Sequence, residues 1–449
     1  MSDQTVPATP PRSTSFSFIS SVSVQKLFGY EDIRIEFAPD AAASQRSINI
    51  LYGENGEGKT TLLRLIYSIL SSQDGKGLKN WVLRAPFKTV GISFSDGTEF
   101  QVSKRAGARK GLIVNVRGPG IDNTYNLLAN TEGTITSNVR GGQVNEYLEF
   151  LDRHVPRLFY VTDRREYLTN SSLVQRLIDR PTAKLIVNDD GVVERGKPNS
   201  DEVAVDVDAM AEAIAQVFRE ETFESGVFAQ QNSDQIYREI IATIAKPNRR
   251  KGNAPKPLKE SLLDEIDEVG RAIERAVDLG VMPRTDMAFY KEIVSKASLG
   301  SLDRIKLVID PFLDSLKARA AAAQGSVDRM HQFLAELNHF YRSKEFTFEM
   351  ARGLAVTSQI TKNRVQWNWL SSGERQLFII MSSIFLTQNY SGIILIDEPE
   401  LSLNVMWQRE FVGSLRRLSH YSPVQYVLAS HSLEILSSDA GTVQSLGAR

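Results

Sequence analysis

Gly53-Glu54-Asn55-Gly56-Glu57-Gly58-Lys59-Thr60 fits G-x-x-x-x-G-K-[ST], and its setting governs how the rest of the chain reads. Ile48 to Tyr52, just before it, has the length and apolar character of a buried strand. Thr61 to Leu70, just after it, reads as an apolar helix. In a strand, glycine-rich turn, helix arrangement, backbone N–H groups curl inward around phosphates and the positive end of the helix dipole faces them. Lys59 would reach the terminal phosphates and the Thr60 hydroxyl would ligate Mg²⁺. The expected ligand is therefore ATP with Mg²⁺, contacted by Gly53, Asn55, Gly56, Gly58, Lys59, Thr60 and Thr61.

Working outward, Phe16 to Phe37 alternates apolar and polar residues (Val22, Val24, then Ile33, Ile35, Phe37), as two strands joined around Gly29 would. Val90, Ile92 and Phe94, a turn at Asp96-Gly97, then Phe100 and Val102 describe a hairpin that Leu112, Val114 and Val116 extend. A small antiparallel β subdomain is expected here. A helix around Val144 to Leu151 and a strand over Arg157 to Thr162 follow. Helical spacing then takes over: Ile214, Val217 and Phe218 share a face, as do Ile266, Val269 and Ile273, and Met330, Phe333, Leu334 and Leu337. From Phe346 strand signals return.

Three further motifs lie in the C-terminal part. Ile393-Ile394-Leu395-Ile396-Asp397-Glu398 is an apolar strand ending in two carboxylates. Beside a phosphate site, Asp397 would hold Mg²⁺ and Glu398 would be the general base for an attacking water, a role worth roughly 10²–10⁴-fold. Leu370-Ser371-Ser372-Gly373-Glu374 precedes a strong helix from Arg375 to Leu386. Its hydroxyls and backbone donors at a helix N-terminus suit an anion, and they equally suit a plain N-cap with Glu374 in the first turn. His431 follows directly on the strand Val424 to Ser430.

The order of these motifs, P-loop, LSSGE, ILIDEPELSLN, LASHS, resembles that of ABC-class ATPases of the SMC and OLD-like branch. The order of strands and helices predicts an α/β fold with an antiparallel β subdomain and a mostly helical insertion, and the resemblance implies that the two ends of the chain form an ABC-type P-loop NTPase head split into N- and C-terminal halves. The expected boundaries are a disordered tail over 1–15, the N-terminal half over 16–170, the insertion over 171–343 and the C-terminal half over 344–449. It further implies that Ser371, Ser372 and Gly373 of one protomer complete the ATP site of another, and that His431 senses the γ-phosphate. Phe159-Tyr160-Val161-Thr162-Asp163-Arg164-Arg165 resembles the FLPTxRR segment of standalone antiphage ATPase subunits such as those of Septu and PARIS. Asp163 would then stand near Mg²⁺, with a strand-capping aspartate as the other reading of that residue. Two departures stand out. Asn404 replaces a frequent histidine after DEPELSL, and Arg375 replaces a frequent lysine.

Composition bounds the rest. The 449 residues are 42% hydrophobic and 24% charged, enough to build two or three packed subdomains. With no cysteine, disulfides and thiolate zinc sites are excluded. There is no run of eighteen apolar residues and no N-terminal apolar core behind positive charge, so no membrane partner is expected and the cytoplasm is the expected location. The formal net charge of -1 announces no general attraction to nucleic acid. Two basic clusters could still neutralise phosphates: Lys104, Arg105, Arg109 and Lys110, and Lys246, Arg249, Arg250, Lys251, Lys256 and Lys259.

The expected function is that of a Mg-ATP-dependent ATPase that dimerises around ATP, or forms a higher homo-oligomer. It would act as sensor or regulator of a separate effector, such as a nuclease, in antiphage defence. A DNA-repair or chromosome-associated SMC-like ATPase is the alternative. A transporter subunit fits poorly, because 312 positions separate Lys59 from Ser371. Eighteen residues follow His431, too few for an added domain of about 100 residues, so any destructive activity is expected on another polypeptide.

Overall fold

The computed structural model describes residues 18–37, 46–54, 56–74, 77–105, 110–162, 167–169, 185–187, 193–195, 207–224, 257–296, 299–387, 392–419, 423–437 and 442–446. They divide into two compact units. The first comprises residues 1–179, 183–205 and 387–449, and the second residues 180–182 and 206–386.

The first unit carries two six-stranded sheets. In the antiparallel one the order is β2-β1-β4-β5-β6-β7, from β1 (Ile19–Leu27), β2 (Glu31–Glu36), β4 (Thr89–Phe94), β5 (Glu99–Lys104), β6 (Gly111–Gly118) and β7 (Ile121–Leu128). Alternation sets one face inward, so that Val22 and Val24, Val90 and Ile92, Phe100 and Val102, and Val114 and Val116 are buried. The turn between β4 and β5 closes where expected, Gly97 donating to the Phe94 carbonyl.

The second sheet has the order β16-β3-β15-β14-β8-β9: β3 (Arg46–Tyr52), β8 (Arg157–Val161), β9 (Tyr167–Thr169), β14 (Gly392–Asp397), β15 (Val424–Ser430) and β16 (Thr442–Ser445). All pairs are parallel except β8 with β9. Every residue of β14 and of β15 is buried, which explains the apolar run Ile393 to Ile396 in β14. Register fixes which residues share a rim. Tyr52 pairs with Ser430, Asp397 with Ala429 and Ile396 with Val161. The carboxyl ends of β3, β8, β14 and β15 therefore emerge side by side, the position where parallel sheets bind ligands. Helix α1 (Lys59–Leu70) leaves this rim, and its Leu62, Leu65, Ile66 and Ile69 join one core with Leu51, Tyr160, Leu395 and Val427. The buried amide of Gln425 reaches the antiparallel sheet, exchanging hydrogen bonds of 2.8 Å with the Ile19 backbone. Helices α2 (Leu78–Arg84) and α3 (Val144–His154) complete the layer, and β10 (Leu185–Val187) and β11 (Val193–Arg195) form a separate antiparallel pair.

The second unit is mostly helical. It holds α4 (residues 207–224), α5 (Pro257–Asp278), α6 (Met287–Lys296) and α7 (Leu299–Phe340). Leu262, Ile266, Val269 and Ile273 on α5, and Leu313, Leu316, Val327, Met330, Phe333 and Leu337 on α7, are buried at helical spacing. A hairpin of β12 (Lys344–Glu349) and β13 (Gly353–Ser358) leads to α8 (Ser372–Thr387), whose Leu377, Phe378, Ile380, Met381 and Ile384 are buried.

Candidate nucleotide site

The loop between β3 and α1 is held by its own side chains. Gly58 has φ +85°, a left-handed conformation, and a Cβ there would stand 3.0 Å from Leu27 Cδ2 and 3.3 Å from Phe28 Cε2. Glycine is thus required at this position by conformation and by space. Gly56 is also left-handed. Glu57 folds back so that its carboxylate accepts from the Glu54 N–H at 2.7 Å. A Cβ on Gly53 would lie 2.1 Å from that carboxylate. Lys59 is buried and donates to the carbonyls of Gly53 and Glu54 at 2.7 and 2.9 Å. An ammonium carries three donors, and the third has no partner among the described residues. Thr60 and Thr61 occupy the first turn of α1, both half-buried. Asn55 and Asp163 lie outside the described residues.

Asp397 closes the site from β14. It is fully buried, accepts from Thr60 Oγ1 at 3.2 Å and takes the Tyr160 hydroxyl, from neighbouring β8, at 3.3 Å. A buried carboxylate next to a threonine hydroxyl suits Mg²⁺ that draws its remaining ligands from water and phosphate oxygens. Among the described residues no cluster of three His, Cys, Asp or Glu side chains could cage a metal alone. The donor set therefore fits a Mg-nucleotide.

Glu398 follows in the left-handed region, with φ 46° and ψ 57°. That costs a residue with a Cβ on the order of 1 kcal/mol, and such strain gathers at functional sites. Its N–H donates to the Ala429 carbonyl at 2.9 Å, tying it to β15. His431 Nδ1 lies 3.8 Å from Glu398 Oε1 and 3.0 Å from Glu400 Oε1. Lys59, Thr60, Asp397, Glu398 and His431 are thus brought to one rim of one unit. Tyr160, Glu57 and Glu400 were not singled out from the sequence as members of this site. Glu57 and Glu400 stand inside the quoted motifs, and Tyr160 could be found from its place on the strand leading to Asp163.

Ser371, Ser372 and Gly373 belong to the second unit. The Ser371 N–H donates to Glu374 Oε2 at 2.7 Å and the Glu374 N–H to Ser371 Oγ at 3.4 Å, a reciprocal capping box on α8. Glu374 also pairs with Lys344. Desolvation alone would raise the Glu374 pKa, but the hydrogen bonds from Lys344 and Ser371 outweigh it and hold the carboxyl below its usual value. Both departures from the family pattern have local roles. Arg375 donates to the carbonyls of Leu370 (2.9 Å) and Asn368 (2.5 Å), a fork that lysine lacks. Asn404 caps α9 (Val405–Leu418), its Oδ1 accepting from the Trp407 N–H at 3.0 Å.

Of the basic clusters, Lys104 donates to the Ala85 carbonyl at 2.6 Å and lies over the Phe87 ring. Arg105 and Lys110 are exposed. Arg109 and residues 246–256 lie outside the described residues, and Lys259 donates to the Ser295 carbonyl. No described helix is long and apolar enough to cross a membrane.

A family model described as "AAA domain" matches residues 21–266, more than half of the chain. The chain belongs to that AAA-domain family. A second model, "AAA domain, putative AbiEii toxin, Type IV TA system", matches residues 348–437 of this AAA-domain protein. No curated protein matches it significantly. Among solved structures it is similar to the Smc head domain with an extended coiled coil bound to the C-terminal domain of ScpA, from Pyrococcus furiosus. That pair has 12% identity and a TM-score of 0.40, covering 96% of this chain and 93% of that one. It is also similar to the Smc head domain with a coiled coil and joint from Pyrococcus yayanosii, with 11% identity and a TM-score of 0.38, covering 96% of this chain and 95% of that one.

Proposed function

We propose that this AAA-domain protein binds Mg-ATP at the rim of the parallel sheet and hydrolyses it between two copies of itself in an ABC-type arrangement. The observation that carries this reading is the contact of Thr60 with Asp397, 3.2 Å across 337 positions of sequence, beside Lys59, Glu398 and His431. Thr60 and Asp397 hold Mg²⁺, which when bound neutralises phosphate charge. Lys59 turns its remaining donor to the terminal phosphates. Glu398 orients the attacking water and takes its proton as the new P–O bond forms and the bond to the ADP oxygen breaks. His431 contacts the γ-phosphate. Ser372 and Gly373 of a second copy complete the site, with Ser371 capping the helix that presents them.

The biological setting we propose is regulation of a separate effector, such as a nuclease, in antiphage defence. The Phe159 to Arg165 segment and the toxin–antitoxin description of the model matched over residues 348–437 support it. Direct gripping of DNA is less favoured, because Lys104 and Lys259 already donate to backbone carbonyls.

The test is ATP turnover by the purified chain and by mixed variants. Lys59→Ala and Ser372→Arg are each expected to be inactive alone. Mixed, they should recover part of the activity, since one composite site is then intact. A mixture that stays dead while both variants fold and associate overturns hydrolysis in trans, and a wild-type chain that does not turn over ATP overturns the enzyme reading altogether.

A further inference from the structure

Glu400 is buried in a short turn three residues beyond Asp397, and one of its oxygens gathers the loop that carries His431. Oε1 accepts from Ser430 Oγ at 2.8 Å, from the His431 N–H at 2.6 Å and from the Ser432 N–H at 3.2 Å. The same oxygen lies 3.0 Å from His431 Nδ1. Oε2 is buried and has no hydrogen-bond partner among the described residues. Gln408 braces the arrangement from α9, donating to the carbonyls of Leu403 (2.8 Å) and Glu400 (3.3 Å) and accepting from Ser432 Oγ at 2.7 Å.

Burying a carboxylate is costly unless donors surround it. Here they all converge on one oxygen, and they come from three consecutive residues centred on His431. The ring follows from this. A carboxylate oxygen has no proton to offer, and its negative charge 3.0 Å from Nδ1 favours a hydrogen on that nitrogen over a lone pair. Nε2 is then the ring nitrogen left for the nucleotide side, and it has no partner among the described residues.

We propose that Glu400 is a positioning residue for hydrolysis: it anchors the loop Ser430 to Ser432 and fixes His431 with its proton on Nδ1, which makes Nε2 the working atom. This rests on the reading of the site as an ATPase site, and it assigns Glu400 no contact with substrate.

Four measurements test it. In Glu400→Ala, kcat should fall by at least about tenfold, as when a histidine loses the partner that fixes its tautomer, with KM for ATP little changed. Glu400→Gln keeps an acceptor at Oε1 and exchanges one unpaired buried atom for another, so it should fold and recover most of kcat. In a His431→Asn background, adding Glu400→Ala should cost little more, because the two residues act as a unit. Nitrogen-15 NMR of histidine-labelled wild-type protein without nucleotide should show His431 protonated at Nδ1, and Glu400→Ala should give mixed tautomers. The spectrum reports on Glu400 whether or not ATP is turned over, so failure of the ATPase reading remains distinguishable. A His431 protonated at Nε2 alone in the wild type, or a Glu400→Ala enzyme within twofold of wild type, would overturn the proposal.

Discussion

The helix Lys59–Leu70 has a buried lysine at each end. At its start, Lys59 donates to the carbonyls of Gly53 and Glu54. Against its last turn, Lys79 donates to the carbonyls of Ser68 (2.7 Å), Ile69 (3.2 Å) and Ser71 (2.8 Å), and its ammonium lies 5.3 Å from the centre of the Tyr147 ring. Both are lysine amines in a dry place bound to backbone oxygen. The difference is in what remains unused. Lys79 has three acceptors for three donors and caps the carbonyls that a helix leaves free at its C-terminus. Lys59 has two acceptors, on a glycine loop at the end of the helix whose dipole attracts anions. Burial does not separate the two lysines; unused hydrogen-bonding capacity does.

The largest effect is expected for Lys59→Ala, which should reduce ATP turnover to background and weaken nucleotide binding, because the loop Gly53 to Thr60 holds no other cation. Turnover and nucleotide titration of the purified variant would reveal any rescue. Next in size is Glu398→Gln. It should bind ATP normally and lose roughly 10²–10⁴-fold in kcat, and its trapped nucleotide should favour association, visible as a shift in sedimentation when ATP is added.

Lys79→Met attacks the other end of the helix and should leave ATP affinity of the folded protein intact. Stability should fall by about 2–3 kcal/mol, since helix-end carbonyls lose their donor in a buried place. Its pH dependence is the finer test. Burial pushes the Lys79 ammonium down to about 7 from the usual 10.5 of a lysine, with Asp74 pulling against it. Between those two values the unfolded chain binds more protons than the folded one, so this lysine makes stability rise with pH, by at most about 1.4 kcal/mol per unit. Urea unfolding from pH 7 to 9 should show that rise in the wild type and lose it in Lys79→Met.

Much of this was legible in the sequence where the chemistry is local. Gly53 to Thr60, Asp397 and His431 each end a strand in the text, and strands of one parallel sheet bring their ends to one rim. The partners made only by folding were not legible. Lys79 in LKNWVLR reads as a solvated charge, since nothing nearby in sequence announces the helix end it caps. Tyr160 reaches Asp397 across 237 positions. Strand β7, IDNTYNLL, hides its alternation because Asp122, Asn123 and Thr124 are all exposed.

The turn before α8 repeats the contrast at smaller scale. The N–H and hydroxyl of Ser371 are both engaged with Glu374, whereas the Ser372 hydroxyl has no partner among the described residues. By the reasoning that separates Lys79 from Lys59, Ser371 is committed to the fold, and the exposed Ser372 is the serine we propose for the ligand. Ser371→Ala should therefore cost about 0.5–2 kcal/mol, the usual worth of an N-cap, and affect turnover only through stability. Ser372→Ala should leave unfolding unchanged and lower kcat. Glu374 supplies the pH signature. Its carboxyl titrates below the usual glutamate value, so its contribution is complete above that value and disappears as pH falls through the lower, folded one. Acid unfolding of Glu374→Gln should lack that step while Ser372→Ala retains it. Should Ser372→Ala prove destabilised with its turnover intact, the turn is a helix cap and nothing more.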